Sequence, residues 1–188
     1  MLSQLKFPNN ISLIFGSPAT GKTTLCLQKA AHTKGKIIFI DTENSFTPER
    51  LLQINPETNL DNIILIQPKR YSEQFKTVKS LKDMKNISLV IIDSFTHYYR
   101  KKVQEKIVIT PPTIRQLQML RELKIPVILT SQVYTNQKSQ NLPLAGHLWK
   151  NFSKYTIELT KEPRTLKTNN KELPFKITAE GLQPILKV

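Results

Sequence analysis

The stretch Gly16-Ser17-Pro18-Ala19-Thr20-Gly21-Lys22-Thr23 decides how the rest of the chain is interpreted. It fits the pattern Gly-x-x-x-x-Gly-Lys-Ser/Thr, in which a loop presents backbone N–H groups to phosphate oxygens. An apolar run of strand length, Ile11–Phe15, precedes the loop, and a helix is predicted over residues 23–33. A phosphate loop requires this order of strand, loop and helix, because the start of the helix adds partial positive charge.

The loop predicts a site for a nucleoside triphosphate and Mg²⁺. Lys22 would reach the β and γ phosphates, and the Thr23 hydroxyl would ligate Mg²⁺. The predicted nucleotide-binding residues of the loop are Gly16, Ser17, Pro18, Ala19, Thr20, Gly21, Lys22, Thr23 and Thr24.

Length and composition predict one α/β domain over residues 1–188. Of the 188 residues, 39% are hydrophobic and 22% charged, and no apolar run approaches the length of about 20 residues that spans a bilayer. Met1–Asn10 shows no secretory signal. Cys26 is the single cysteine, so an internal disulfide is excluded. We expect it to be a buried residue that fills space in a helix, and the lack of disulfides favours a cytoplasmic setting.

The charge of the chain favours a polyanionic partner. Lys and Arg number 28 against 14 acids, which gives a net charge of +14. Nucleic acid is the first candidate for such a partner. The alternative is a lysine-rich solvated surface, and composition does not locate the charges in space.

Apolar runs alternate with helical stretches along the first 132 residues. The runs are continuous and β-branched, which indicates strands covered on both faces, as in a mostly parallel central sheet flanked by helices. The predicted strands are Ile11–Phe15, Lys36–Asp41, Asn62–Gln67, Ser88–Asp93 and Pro126–Gln132, and the predicted helices cover 23–33, 47–54, 71–85 and 112–124.

The last forty residues change character and predict antiparallel strands at the C-terminal end of the sheet. The short runs Tyr155–Thr160, Arg164–Thr168 and Pro174–Thr178 are separated by turn residues. Two other segments, 98–111 and 133–152, lack strong periodicity and follow strand ends, where open α/β sheets place their ligand sites.

Acidic and amide residues at the ends of predicted strands supply candidates for catalysis. Asp93 would hold Mg²⁺ from the strand beside the phosphate loop, or would merely cap a turn. Glu43 could polarise an attacking water, with Asp41 as a rival that we expect to support the turn instead. Gln132 could sense the γ-phosphate, or could be a surface polar residue.

Aromatic and basic residues are interleaved in the segment 98–102 (YYRKK). Such a mixture suits contact with phosphates and stacking on bases, although Tyr98 and Tyr99 could equally pack beneath the loop. The three histidines show no metal-ligand spacing, and Trp149 and Phe152 are expected to be packing residues.

Together these motifs resemble the core ATPase domain of the RecA/RadA recombinase superfamily, and their residues look most similar to those of the short archaeal RadA paralogues. The resemblance runs from about residue 11 to residue 185. It rests on GSPATGKTT at 16–24, FIDTENSFTPERL at 39–51, IILIQPKRYSEQ at 63–74, LVIIDSFTHYYR at 89–100, VILTSQVY at 127–134 and LAGHLWKNFSKYTIEL at 144–159.

The resemblance implies a role for each matching residue. Glu43 would activate water, Arg50 would pack against adenine, and Gln132 would sense the γ-phosphate, while Asp93 would be the carboxylate of the Mg²⁺ site. Segments 100–111 and 133–146 would be two DNA-binding loops, with contacts to DNA from Arg100, Lys101, Lys102 and Lys138.

The implied function is that of an accessory ATPase of homologous recombination and repair, with ATP and Mg²⁺ as cofactors and single-stranded DNA as partner. The alternative is a nucleotide-gated binding module that regulates a recombinase or a junction nuclease. Self-association is compatible with both. Only Met1–Asn10 precede the first strand, so no separate N-terminal DNA-binding domain is expected, and the second loop has few glycines, so strand exchange is not implied.

Overall fold

The structure, a computed structural model, describes residues 5–135, 141–169 and 171–185. In this part of the chain, nine strands form one sheet and two form a small hairpin. The strands are β1 Ile11–Gly16, β2 Lys36–Asp41, β3 Ile63–Ile66, β4 Ile87–Asp93, β5 Val127–Ser131, β6 Val133–Thr135, β7 Asn141–Pro143, β8 Tyr155–Leu159, β9 Thr165–Lys167, β10 Glu172–Thr178 and β11 Gly181–Pro184.

Six α-helices connect these strands within the described residues. They are α1 Lys22–Ala31, α2 Pro48–Ile54, α3 Tyr71–Ser80, α4 His97–Gln104, α5 Thr110–Glu122 and α6 Gly146–Phe152. Pro48 occupies the first turn of α2, where a missing N–H costs nothing. None of these helices combines the length and the apolar character needed to cross a membrane.

The sheet has the order β11-β10-β9-β8-β1-β5-β4-β2-β3. The six strands from β8 to β3 run parallel, and β9, β10 and β11 extend the sheet with antiparallel pairs. This topology confirms the predicted fold class. All carboxyl ends of the parallel strands meet at one edge, which is where the loop, Glu43, Asp93 and Gln132 emerge.

Helices cover both faces of the sheet. On one face α1 and α2 pack against β1, β2 and β4, with Leu25, Cys26 and Leu51 almost fully buried. On the other face α3, α5 and α6 enclose Leu117, Trp149 and their neighbours. Coverage on both faces explains why the parallel strands are continuous apolar runs rather than alternating ones.

The position of β4 differs from the prediction. Asp93 was expected on the strand beside the phosphate loop, but β5 lies between β1 and β4. Local sequence does not specify which strands pair, because pairing is a long-range property. The consequence is that β5 can bridge the two strands with its own side chains.

Several elements also differ from the sequence-based assignment. Helix α4 and helix α6 form in the segments 98–111 and 133–152, where no periodicity was visible. Helix α4 contributes only Tyr98 and Tyr99 to the core, so its apolar stripe is too short to stand out. Helix α3 ends at Ser80 rather than at residue 85, because a 3₁₀ turn at 81–83 leads the chain into β4.

Candidate functional site

The phosphate loop connects the carboxyl end of β1 to the start of α1. Ala19 and Gly21 adopt positive φ angles of 61° and 102°, which curl the backbone. Gly16 lies so close to β8 that a β-carbon there would stand 2.3 Å from the Leu159 carbonyl oxygen. The glycines are therefore required by close approach and by backbone conformation.

The Lys22 side chain folds back into the loop. Its Nζ donates hydrogen bonds to the carbonyl oxygens of Gly16 and Ser17, each at 2.8 Å. Burial lowers the pKa of Lys22, and the nearby carboxylates of Asp93 and Glu43 oppose that shift. A compact cation thus stands in the centre of the loop, where phosphate oxygens could replace the carbonyl partners.

Asp93 is buried at the end of β4 and binds two hydroxyl groups. Thr23, in the first turn of α1, donates to Oδ2 at 2.6 Å, and Thr130 of β5 donates to Oδ1 at 2.5 Å. Burial raises the pKa of Asp93, while the bonds from Thr130 and Thr23 oppose the shift. The intervening strand β5 therefore orients the carboxylate that sequence reasoning had placed next to the loop.

The oxygens of Thr23 and Asp93 fit a Mg²⁺ ion. Both are hard donors, and the 2.6 Å hydrogen bond between them places the two oxygens close enough to serve one ion. Mg²⁺ sites commonly use one or two protein oxygens and take the remaining ligands from water and phosphate. The described residues contain no cluster of three His, Cys, Asp or Glu side chains suited to a metal.

Glu43 faces the same edge and is held by two neighbours. Its Oε1 accepts a hydrogen bond from Gln132 Nε2 at 2.9 Å and lies 3.4 Å from His97 Nδ1. Gln132 in turn accepts a hydrogen bond from the Arg100 guanidinium. Burial and the nearby Lys101 lower the pKa of His97 despite Glu43, which favours a neutral imidazole.

Asp41 supports the turn that carries Glu43. Its carboxylate accepts hydrogen bonds from the backbone N–H groups of Glu43 and Phe46, at 3.2 and 3.0 Å, and from Gln67 at 3.2 Å. Asp41 is fully buried and points into this turn. Its contacts agree with the expected supporting role rather than with a role in activating water.

These groups surround a cleft of about 290 Å³. The lining residues are Pro18, Ala19, Gly21, Lys22, Thr23, Thr24, Glu43, Asp93, Gln132 and Ile177. Most residues predicted for the nucleotide site meet here, whereas Gly16, Ser17 and Thr20 shape the loop from behind. The arrangement offers backbone N–H groups and a lysine for phosphate, an oxygen pair for a divalent cation, and a carboxylate facing both.

The sequence matches the Rad51 family over residues 7–162. The chain belongs to the Rad51 family. Among its relatives is the DNA repair and recombination protein RadB of Thermococcus onnurineus, 34% identical over 95% of this chain and 90% of the relative. The protein of the same name from Methanococcoides burtonii is 34% identical over 80% of this chain and 74% of the relative.

A solved structure supports the same assignment. The crystal structure of the RadB recombinase aligns with a TM-score of 0.78 and 28% sequence identity, and the match covers 96% of this chain and 92% of that one. The resemblance to recombinase ATPase cores inferred from the motifs is therefore confirmed as membership of the Rad51 family.

Arg50 lies outside the cleft lining of this Rad51-family chain. Its guanidinium donates to the carbonyl oxygens of Thr178 and Ala179, at 2.6 and 2.9 Å, in the turn between β10 and β11. This turn follows Ile177, which lines the cleft beside Gly21. Arg50 thus fixes the C-terminal strands against α2 at one side of the cleft, and no described contact tests its predicted packing on adenine.

The candidate DNA-binding residues fall on α4. Arg100 and Lys101 are exposed, while Lys102 is half-buried and paired with Glu105 at 2.7 Å. Lys138 lies outside the described residues. Tyr98 and Tyr99 are each 7% exposed, and the Tyr98 hydroxyl donates to the Pro68 carbonyl oxygen, so both tyrosines are packing residues rather than a surface for stacking.

Sequence reasoning missed four contributors to the site. His97 was assigned no role, Thr130 was not considered, and the C-terminal region that supplies Arg164, just before β9, and Ile177, on β10, carried no motif. Arg164 donates to the Ala19 carbonyl oxygen at 3.1 Å across 145 positions of sequence. Only Thr130 had a visible signal, as a hydroxyl residue directly after the apolar run Val127–Leu129 of β5.

Proposed function

We propose that this chain is an accessory ATPase of homologous recombination and DNA repair. It binds Mg·ATP, hydrolyses it slowly and contacts single-stranded DNA. The observation that carries the proposal is the hydrogen bond between Thr23, which follows the phosphate-loop lysine, and Asp93 at the end of β4. The names of the RadB relatives, which are DNA repair and recombination proteins, support the cellular role.

Binding rests on the loop and on Lys22. Backbone N–H groups of the curled loop would surround the phosphates, and Nζ of Lys22 would exchange its two carbonyl partners for phosphate oxygens. Thr23 and Asp93 would hold Mg²⁺, which when bound supplies charge neutralisation at the phosphates. The low pKa of Lys22 caused by burial would be reversed by the arrival of negative phosphate charge.

Hydrolysis would depend on Glu43. Its carboxylate faces the cleft and could accept a proton from water near the γ-phosphate. In the structure, however, one carboxylate oxygen is already bonded to Gln132 and lies near His97. Part of its capacity to accept hydrogen bonds is thus used, and this supports slow turnover.

DNA contact would be coupled to the nucleotide through Gln132. The side chain bonds Glu43 at one end and Arg100 at the other, so it links the cleft to α4. A γ-phosphate that attracts the Gln132 amide would release Arg100. The freed guanidinium, with Lys101 beside it, would then be available to a DNA phosphate.

A second candidate is a nucleotide-gated binding module that regulates a recombinase or a junction nuclease. The same bond between Gln132 and Glu43 favours it, because a carboxylate held by an amide activates water poorly. In that case nucleotide binding alone would move Gln132 and Arg100, and hydrolysis would be incidental.

ATP turnover with and without single-stranded DNA tests the proposal. Glu43→Gln preserves shape and should leave ATP binding intact while turnover falls by about 100-fold or more, the range of general-base catalysis. Glu57→Gln, at an exposed position, should turn over like wild type. Equal turnover in wild type and Glu43→Gln would contradict the assigned base. Binding without turnover, combined with nucleotide-dependent binding to a recombinase, would instead favour the gated module.

A further inference from the structure

Six exposed lysines lie at the edge of the sheet where the parallel strands begin. We name this set the lysine edge, and its members are Lys34, Lys36, Lys82, Lys85, Lys124 and Lys154. Lys36 is the first residue of β2, and Lys85, Lys124 and Lys154 come just before β4, β5 and β8. Nothing in the chemistry of the nucleotide site uses these residues.

The strand order places the four lysines that begin or precede strands in a row. Lys36 pairs with Ile87 at the start of β4, and the Lys154 backbone N–H donates to the Ile11 carbonyl oxygen of β1 at 3.0 Å. The strands occur in the order β8-β1-β5-β4-β2. Four steps of about 4.8 Å between neighbouring strands give a row of about 19 Å.

Positive charge predominates at the lysine edge. The ion pairs found among the described residues involve none of these lysines. In the segments 32–36, 82–86, 123–126 and 153–154, Asp83 is the only acid. Asp61 precedes β3, beyond the end of the row, whereas Glu57 lines a cavity together with Lys34 and Glu122 lines another together with Lys82.

The row is also remote from the cleft. The seven residues of β4 run from Ile87, next to the lysine edge, to Asp93, and their six steps of about 3.3 Å cover about 20 Å. Substitutions at the lysine edge therefore leave the phosphate loop, Glu43 and α4 intact, and an effect on ligand binding can be assigned to the edge itself.

We propose that the lysine edge binds the phosphate backbone of duplex DNA without reading its sequence. A duplex carries one charge per about 1.7 Å of its axis, so a row of about 19 Å faces roughly six base pairs. The four segments contain no Phe, Tyr or Trp, and the flanking Phe152 and Tyr155 pack against Arg121 and Phe7, respectively. Single-stranded nucleic acid is bound largely by stacking of bases on such aromatics, whereas a duplex needs only cations at its surface.

This second surface goes beyond the proposed function, in which α4 at the opposite edge contacts single-stranded DNA. Occupation of both edges would let one chain hold a single strand and a duplex at once, separated by the length of the sheet.

Charge reversal at two adjacent lysines tests the proposal. Fluorescence anisotropy would compare the full chain with the double variant Lys85→Glu/Lys124→Glu, on duplex and single-stranded oligonucleotides across a salt series. Duplex affinity should fall on the order of tenfold, and the slope of log affinity against log salt should decrease by about two. Affinity for single strands and for ATP should stay at the wild-type level.

The matched control is Lys171→Glu/Lys176→Glu, which changes the net charge equally at exposed positions on and beside β10. It should keep wild-type affinity for the duplex. Wild-type duplex affinity in Lys85→Glu/Lys124→Glu, or an equal loss of affinity in both double variants, would overturn the proposal.

Thermal melting of each variant keeps the result interpretable. If charge reversal lowers the melting temperature, Lys85→Gln/Lys124→Gln removes the charges without adding new ones and should still weaken duplex binding. ATP turnover and single-strand binding are measured separately from duplex binding. Failure of the lysine-edge proposal is therefore distinguishable from failure of the proposed function.

Discussion

Gly16→Ala should damage both the stability of the fold and the phosphate loop. The added β-carbon would stand 2.3 Å from the Leu159 carbonyl oxygen and 2.8 Å from Thr20 Oγ1. Real β-carbons essentially never approach another atom within 3.0 Å, so β1 and β8 must separate by about 0.7 Å, the difference between 3.0 and 2.3. The nearest atom is a backbone oxygen, which cannot move aside as the end of a flexible side chain could.

The cost can be estimated from this displacement. Overpacking a well-packed site costs about 1–3 kcal/mol, and a weakened ladder hydrogen bond adds about 1 kcal/mol. A total of about 2–4 kcal/mol lowers the melting temperature of a chain of this size by about 4–16 °C. ATP affinity should fall as well, because Lys22 Nζ is anchored on the Gly16 carbonyl oxygen.

Circular dichroism melting and calorimetric titration with Mg·ATP would measure both effects. Gly146→Ala is the control, since a β-carbon there meets no atom within 4 Å and alanine has a higher helix propensity than glycine. It should melt at or slightly above the wild-type temperature. A Gly16→Ala protein that melts and binds ATP like wild type would refute the close approach of β1 to β8.

Three further substitutions test other parts of the site. In Asp93→Asn the melting temperature without metal should rise. Burial raises the pKa of Asp93, so the folded chain binds more protons than the unfolded chain, and ionisation of Asp93 above that pKa lowers the stability of the fold. Asparagine does not ionise, so the variant avoids this cost. The same variant should lose Mg²⁺-dependent ATP binding in calorimetry. Arg50→Ala should weaken the binding of ATP and leave the binding of inorganic tripolyphosphate unchanged, because the predicted contact of Arg50 is with the adenine base. His97→Ala should leave ATP affinity unchanged and alter the pH profile of turnover, because the imidazole lies beside Glu43.

Local patterns predicted the parts of the molecule that local chemistry determines. The phosphate loop is recognisable because its glycines, lysine and threonine are contiguous, and the buried runs that end in Asp41 and Asp93 identify strands covered on both faces. The resemblance to the RecA/RadA recombinase superfamily followed from these motifs and their order, and the match to the Rad51 family confirms it.

Contacts across long stretches of sequence were not predictable in this way. The insertion of β5 between β1 and β4 depends on strand pairing, and it brings Thr130 onto Asp93. His97 reaches Glu43 across 54 positions, and no spacing rule connects them. Helix α4 was missed because its sequence buries only two side chains and exposes the rest.

The central claim is that the loop at 16–24 binds a nucleoside triphosphate, and that Thr23 and Asp93 hold the accompanying Mg²⁺. Titration calorimetry of ATP with and without Mg²⁺, on wild type, Lys22→Ala and the exposed control Lys171→Ala, tests it most directly. Two lost bonds to charged phosphate oxygens, each worth about 1.5–3 kcal/mol, predict a loss of affinity on the order of 100-fold or more in Lys22→Ala and none in the control. Equal Mg·ATP affinity in all three proteins would contradict the account.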